Sequence, residues 1–292
     1  MRLRNLTMIL ATAALATGLS ACSSSSSSST SSASSTTASG SGLPDLGGKT
    51  VTVAVENAYV PFNYINKNTK KAEGWDYDAW NEICKRLHCT VSFKTAAWDG
   101  MIQAVSDGQY DAAADGITIT DERAKKVDFS DGYIKVAQRL LVKKGQTAFT
   151  SLDAFKSGKF VVGTQTGTTN YDTAVKEYGK GRVKAFEQFP FAVQALLNGD
   201  VDAVIMDDTA GQGYVGADST KLDLLPGEIK SDELGFAFPK GKDLVGAVDK
   251  AIAAMKADGT LDKINGMIAD HLRVGGKLLG KPTHFETRDG KF

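Results

Sequence analysis

The sequence predicts an α/β protein of two similar lobes with a ligand cleft between them. Strand and helix patterns alternate from Lys49 onward, as they do around largely parallel sheets. Two stretches, "AVSDGQYDAAADG" and "ALLNGDVDAVIMDD", share one grammar: apolar helix, Gly, two residues, Asp-Ala, a short apolar strand, then an acid. Those acids are Asp115 and Asp207, and open parallel sheets bind ligands beyond the carboxyl ends of their strands. A chain of 292 residues, 42% hydrophobic, is long enough to build two cores.

The elements follow in order. Arg2 and Arg4 precede an apolar run from Met8 to Leu19, too short to span a bilayer and shaped like a secretory signal. The run ends in "LSAC", which resembles the bacterial lipobox, so residues 1–22 read as a lipoprotein signal with Cys22 as the lipidated residue. Residues 23–46 read as a tether. From Ser23 to Gly42 it is almost entirely Ser, Thr, Ala and Gly, which cannot bury apolar surface. Such a coil reaches roughly 25 Å on average over some 20 residues.

Within the folded part, "KTVTVAVE" predicts a buried strand and "DYDAWNEICKRL" an amphipathic helix with Trp80, Ile83 and Leu87 on one face. "TVSFKT" and "YDAAAD" read as strands, and "DGMIQAVSDG" as a helix ending at Gly108. The pattern resumes with the strands "KFVVGTQ", "VKAFEQ" and "VDAVIMD" and the helices "TNYDTAVKEYG" and "PFAVQALLNG". A strand ending at Pro239 is followed by a helix with Leu244, Val248, Ile252 and Met255 inward. Gly259 stands past its end, and Thr260 is placed to cap the next helix. Residues 276–292 have no clear periodicity and read as a loosely docked extension.

Charge excludes some partners. Lys plus Arg equals Asp plus Glu at 34 each, so no basic excess exists to hold nucleic acid or an acidic membrane surface. Cys84 and Cys89 flank a helix-to-strand turn, and an exported compartment permits a disulfide between them. Free thiols and a zinc site are the alternatives, but one Cys pair with only His88 nearby falls short of a zinc ligand set. His271 and His284 have no partners at metal spacing, so neither a metal nor another cofactor is expected.

"AAADGITITDERAKKVDFS" carries the sharpest chemistry. A β-branched alternation, Ile117 to Thr120, follows Asp115 and Gly116, and an acidic helix start then holds Arg123 in its first turn. A surface salt bridge from Arg123 to Asp121 or Glu122, worth under about 1 kcal/mol, is the bland account. A guanidinium waiting at a helix N-terminus for an anion is the functional one.

With "AYVPFNY", "GWDYDAWNEI", "WDGMIQAVSDGQYDAAADGITITDERAKKVDFSDGYI", "GTQTGTT", "VDAVIMDD", "GFAFPKG" and "ADGTLDKI", the chain from about Val51 to Arg273 resembles the polar amino-acid-binding proteins of bacterial ABC importers, solute-binding protein family 3. "GITITDER" with "VDFSDGY" is close in wording to the glutamine-binding members. The resemblance implies the two-lobed periplasmic-binding-protein fold, with two hinge crossovers and closure on one amino acid. Residues 47–136 and 231–275 would form the first lobe and 137–230 the second. It further implies a monomeric, extracytoplasmic, lipid-anchored receptor that delivers its ligand to a membrane permease.

By the same resemblance, Arg123 takes the ligand's α-carboxylate, and Thr118 and Gly116 meet its polar ends. Asp207 holds the α-ammonium, while Thr168 and Thr169 close on the carboxylate. The side-chain pocket is expected from Glu56, Tyr59, Trp98, Asp115, Gln165 and Met206, with Tyr59 and Trp98 sandwiching the ligand. Met206 and Gln165 depart from the glutamine-binding pattern. Glu56 stands where members for cationic amino acids carry an acid, and with Asp115 it predicts an arginine- or lysine-like ligand. A neutral polar amino acid such as glutamine is the alternative. Dehydratases that make aromatic amino acids share this fold, so an enzyme using Glu56 or Asp115 as general acid is the rival from another class. No separate catalytic constellation accompanies them.

Overall fold

The computed structural model describes residues 42–66 and 68–271. Cys22, the tether up to Ser41 and the extension 276–292 therefore lie outside the described residues. The chain opens with β1 (Thr50–Val55), the small antiparallel ribbon β2 (Ala58–Tyr59), β3 (Asn63–Ile65) and β4 (Ala72–Glu73), then α1 (Trp75–Arg86). Next come β5 (Thr90–Thr95), α2 (Met101–Ser106), β6 (Ala112–Ala113), α3 (Asp121–Ala124) and β7 (Val127–Phe129). The second lobe is built from β8 (Ile134–Lys143), α4 (Leu152–Ser157), β9 (Val162–Gln165), α5 (Thr169–Tyr178), β10 (Val183–Phe186) and α6 (Phe189–Asn198). It continues through β11 (Ala203–Asp207), α7 (Asp208–Ala217), β12 (Leu222–Leu224) and β13 (Lys230–Leu234). β14 (Ala237–Pro239), α8 (Leu244–Ala257) and α9 (Thr260–His271) return to the first.

Two sheets define the lobes. One has the order β5-β1-β6-β14-β7, with β1 parallel to β5 and β6 and the returning β14 antiparallel to its neighbours. The other has the order β10-β9-β11-β8-β12, with β13 also paired to β8. The chain passes between sheets at Ser130–Tyr133 and again at Gly235–Phe236. These passages are bonded to each other: Ser130 N donates to Phe236 O at 2.9 Å, and Phe236 N to Ser130 Oγ at 3.0 Å.

Apolar periodicity places the core. α1 buries Trp75, Trp80 and Ile83, with Leu87 at its cap, and Trp75 stacks on Tyr133 at 4.4 Å. α8 turns Leu244, Val248, Ile252 and Met255 inward. In the second lobe Phe155 packs among Phe149, Phe160 and Tyr178. Cys84 and Cys89 form a disulfide across the turn from α1 into β5.

Two local readings change. The strand read at "YDAAAD" shrinks to Ala112–Ala113, after which Gly116 turns the backbone to φ 56° and Thr118 makes an isolated bridge to Leu234. Thr260 does not cap α9 but is its first residue. Its N–H donates to Asp258 Oδ1 at 3.0 Å, and its hydroxyl accepts from Arg86, which also pairs with Asp258 at 2.8 Å.

Candidate functional site

Strand ends of both sheets converge on one narrow cleft, part of it open to solvent. From the first lobe come Glu56 after β1, Tyr59 in β2, Trp98 ahead of α2, and Asp115, Gly116 and Thr118 after β6, with Arg123 from α3. From the second come Gln165 at the end of β9, Thr168 and Thr169 at the start of α5, and Asp207 at the end of β11. Asn170 and Phe189 also line the space and were not read from the sequence. Asn170 could have been, since it follows Thr168 and Thr169 in the first turn of the same helix.

Met206 is the exception. Side chains alternate along a strand, so with Asp207 facing the cleft Met206 faces away. It is fully buried in the hydrophobic core and does not line the cavity.

Arg123 is held rather than free. Its Nη1 donates to Thr118 O at 2.9 Å and its Nη2 to Gly167 O, across the cleft, at 3.4 Å. The guanidinium lies 5.0 Å over the Trp98 ring, within cation–π range. Burial pulls its pKa down, yet a guanidinium stays charged at any working pH. Among the described residues no carboxylate reaches ion-pair distance of it, so the surface salt bridge does not form. The helix start expected to supply its anion site is a single turn of four residues, and Thr120 Oγ1 already accepts the N–H of Arg123.

The aromatic geometry also differs from a sandwich of Tyr59 and Trp98. Tyr59 stacks with Phe62 at 5.5 Å and with Phe189 at 5.3 Å, so both of its faces are covered. It offers the cleft an edge and a hydroxyl. Gly116 explains how the ring fits: a Cβ there would lie 2.6 Å from Tyr59 Cε1.

Three carboxyls carry the electrostatics. Asp207 accepts from the Tyr59 hydroxyl and from Asn170 Nδ2, the latter at 3.1 Å, and burial pushes its pKa up to about 6 despite both bonds. Glu56 takes the Gln165 amide from the opposite lobe on both oxygens, at 2.9 and 3.0 Å, and burial raises its pKa. Asp115 accepts from Asn63 Nδ2 at 2.6 Å and weakly from Glu56 N at 3.4 Å. Burial, with the Glu56 charge second, pushes Asp115 well above the usual carboxylate range. Arg123 does not pair with it; its guanidinium donates to Thr118 O and Gly167 O instead. Thr118 and Thr169 bring their hydroxyls within 3.2 Å across the cleft. The cleft thus gathers a guanidinium, hydroxyl donors and carboxyls around one space, the complement of a zwitterion. Among the described residues no cluster of His, Cys, Asp and Glu is placed to hold a metal ion.

Comparison with known proteins agrees with this geometry. The family described as bacterial extracellular solute-binding proteins, family 3, matches residues 51–267, and the chain belongs to it. The L-cystine-binding protein TcyA of Bacillus subtilis is 34% identical over 219 residues, covering 74% of this chain and 79% of that protein. A probable histidine-binding protein of Neisseria gonorrhoeae is 32% identical over 223 residues, covering 74% and 82%. The arginine-, lysine-, histidine-binding protein ArtJ of Geobacillus stearothermophilus superposes with a TM-score of 0.70 at 32% identity, covering 77% of this chain and 100% of that one.

Proposed function

We propose that this protein is the extracytoplasmic receptor of an ABC importer for a cationic amino acid of the arginine or lysine type. One observation carries the reading: Glu56 and Asp115 line the same wall of the cleft, both buried, and among the described residues no Lys or Arg lies within ion-pair distance of either. Two buried carboxyls over a neutral side chain are costly unless a cation compensates. At the other end Arg123 would receive the α-carboxylate bidentately, with the hydroxyls of Thr118, Thr168 and Thr169 around it, and Asp207 the α-ammonium. The bonds that join the lobes in this structure, Tyr59 to Asp207 and Gln165 to Glu56, would hold the closed state. The names of the relatives, which bind histidine, cystine or cationic amino acids, support an amino-acid ligand.

In this reading Cys22 carries the lipid, the Ser-rich stretch tethers a monomeric receptor outside the membrane, and the closed lobes dock on a permease. Mass spectrometry of membrane-extracted protein should find a mature N-terminus at modified Cys22. A neutral ligand such as glutamine is the second reading, favoured by the Gln165 amide, which already engages both oxygens of Glu56. Calorimetry with arginine, lysine, ornithine, citrulline, glutamine, histidine and cystine separates the two. Arginine or lysine should bind at least tenfold tighter than citrulline; the reverse order overturns the cationic assignment, and no binding at all overturns the receptor. Incubation with prephenate or arogenate should give no product.

A further inference from the structure

Behind the cavity wall lies a polar chain that the lining residues do not account for. Asn63 is fully buried and donates Nδ2–H bonds to two acids, Asp115 Oδ1 at 2.6 Å and Asp76 Oδ2 at 2.9 Å. Its carbonyl accepts from Asn57 N at 2.6 Å, which fixes the end of the amide that faces the acids. Asp76, in the first turn of α1, is 0% exposed and does not line the cavity. Its second oxygen, Oδ1, has no hydrogen-bond partner among the described residues. A purely structural aspartate at a helix start would be expected to use both oxygens, or to meet solvent.

We propose that Asp76 is a positioning residue for ligand charge: through Asn63 it places a second, pH-dependent negative charge behind Asp115 and so sets how strongly the cleft prefers a cationic side chain. The inference rests on the cationic reading above. A neutral amide cannot cancel either acid, so the charge on one acts on the other and on whatever occupies the cleft. A ligand cation beside Asp115 stabilises the ionised form of both, and a proton leaves as it binds. Burial holds Asp76 up to about 7, so that proton leaves within the ordinary working range of pH.

The ionisable groups facing this chain are Asp115 and Glu56 from the ends of β6 and β1, Tyr59 from β2, Tyr77 from α1 and Tyr133 before β8, with Asp207 across the cleft. The tyrosines are held above their ordinary range and stay neutral, and the Asp76 charge in turn raises Asp115.

Asp76→Asn tests this, because Asn copies the shape and the neutral state of a protonated Asp. Arginine affinity is measured by calorimetry for parent and variant at pH 6.0 and 8.5. The two should agree within about twofold at pH 6.0, and the variant should be weaker by roughly five- to tenfold at pH 8.5. An equal deficit at both pH values, or none at either, overturns the proposal. The parent gives an independent measurement should the variant not fold. Arginine titrations at pH 7 in buffers of different ionisation enthalpy should show net proton release, and zero release also overturns it. Arginine that fails to bind the parent removes the cationic reading together with this inference. Arginine that binds without the pH-dependent gap removes only the role of Asp76.

Discussion

The phenol of Tyr59 donates its hydrogen to the carboxylate of Asp207 across the cleft, a fully buried bond between residues 148 positions apart. It joins the two lobes at the acid assigned to the ligand's ammonium, and burial keeps the phenol protonated and so a donor. Tyr59→Phe retains the stacking with Phe62 and Phe189 and removes only this bond. A bond to a charged group is worth about 1.5–3 kcal/mol, so arginine affinity should fall roughly tenfold or more with the fold unchanged by circular dichroism. Unchanged affinity would mean that the bond has no part in closure.

Arg123→Ala and Asp207→Asn should each remove most affinity while the fold, read by circular dichroism, is retained. Truncating one partner of a desolvated, charge-assisted pair typically costs about 2–5 kcal/mol. Arg123→Lys should recover only part of the loss, because an ammonium cannot offer two parallel N–H bonds. A variant that binds as tightly as the parent contradicts the assigned role.

Stability should fall as pH rises from 5 to 8 in protein without added ligand. Burial lifts Asp76 from 3.8 to about 7 and Asp207 from 3.8 to about 6. Over that window the folded chain keeps protons that the unfolded chain has lost. The stability these acids contribute is thus fully present below the unfolded value and is lost as pH passes through 6 and 7. Glu56 and Asp115 are shifted the same way. Asp76→Asn should flatten the slope and melt higher than the parent at pH 8, a difference on the order of a few kcal/mol. Thermal melts across pH decide it, and a parent that gains stability through this window refutes the account.

Gly116→Ala should lower both stability and affinity. A Cβ at φ 56° would strike the Tyr59 ring at 2.6 Å and Phe62 Cδ2 at 3.3 Å, displacing the hydroxyl from Asp207. Such overpacking costs about 1–3 kcal/mol. A denaturant midpoint equal to the parent's would show that the ring moves aside freely.

Cys84 and Cys89 close a short loop, so their disulfide contributes on the order of 2 kcal/mol. Thiol labelling of denatured, unreduced protein should modify neither, and the double serine variant should fold with a slightly lower melting temperature.

The regular elements and strand ends were legible in the sequence because each signal is local. The faces of α1 and α8, the turn at Gly108 and the acids ending β6 and β11 all follow from periodicity and punctuation within a few residues. "YDAAAD" reads as a six-residue strand, yet pairing covers only Ala112 and Ala113 before Gly116 turns the backbone. Met206 was assigned to the pocket by position, although the two-residue period that presents Asp207 turns Met206 away. Asn63 and Asp76 left no readable signal. A buried Asn that bridges two acids looks, in sequence, like any polar residue near a turn. Phe189 falls between the strand "VKAFEQ" and the helix "PFAVQALLNG" with no signal of its own, and only packing shows that it covers a face of Tyr59.

The two passages between the sheets have a mechanical consequence. Ser130 grips Phe236 through backbone and hydroxyl, and Tyr133 N holds Leu234 O at 3.0 Å, so neither passage can bend without carrying the other. Two separate flexures would let one lobe twist, slide and rock against the other. Fastened side by side, they would act as a single pivot in the lobe closure proposed above, leaving in effect one opening angle. A membrane partner could then learn whether cargo is aboard from the spacing of two surface points far from the cleft, without touching the cargo.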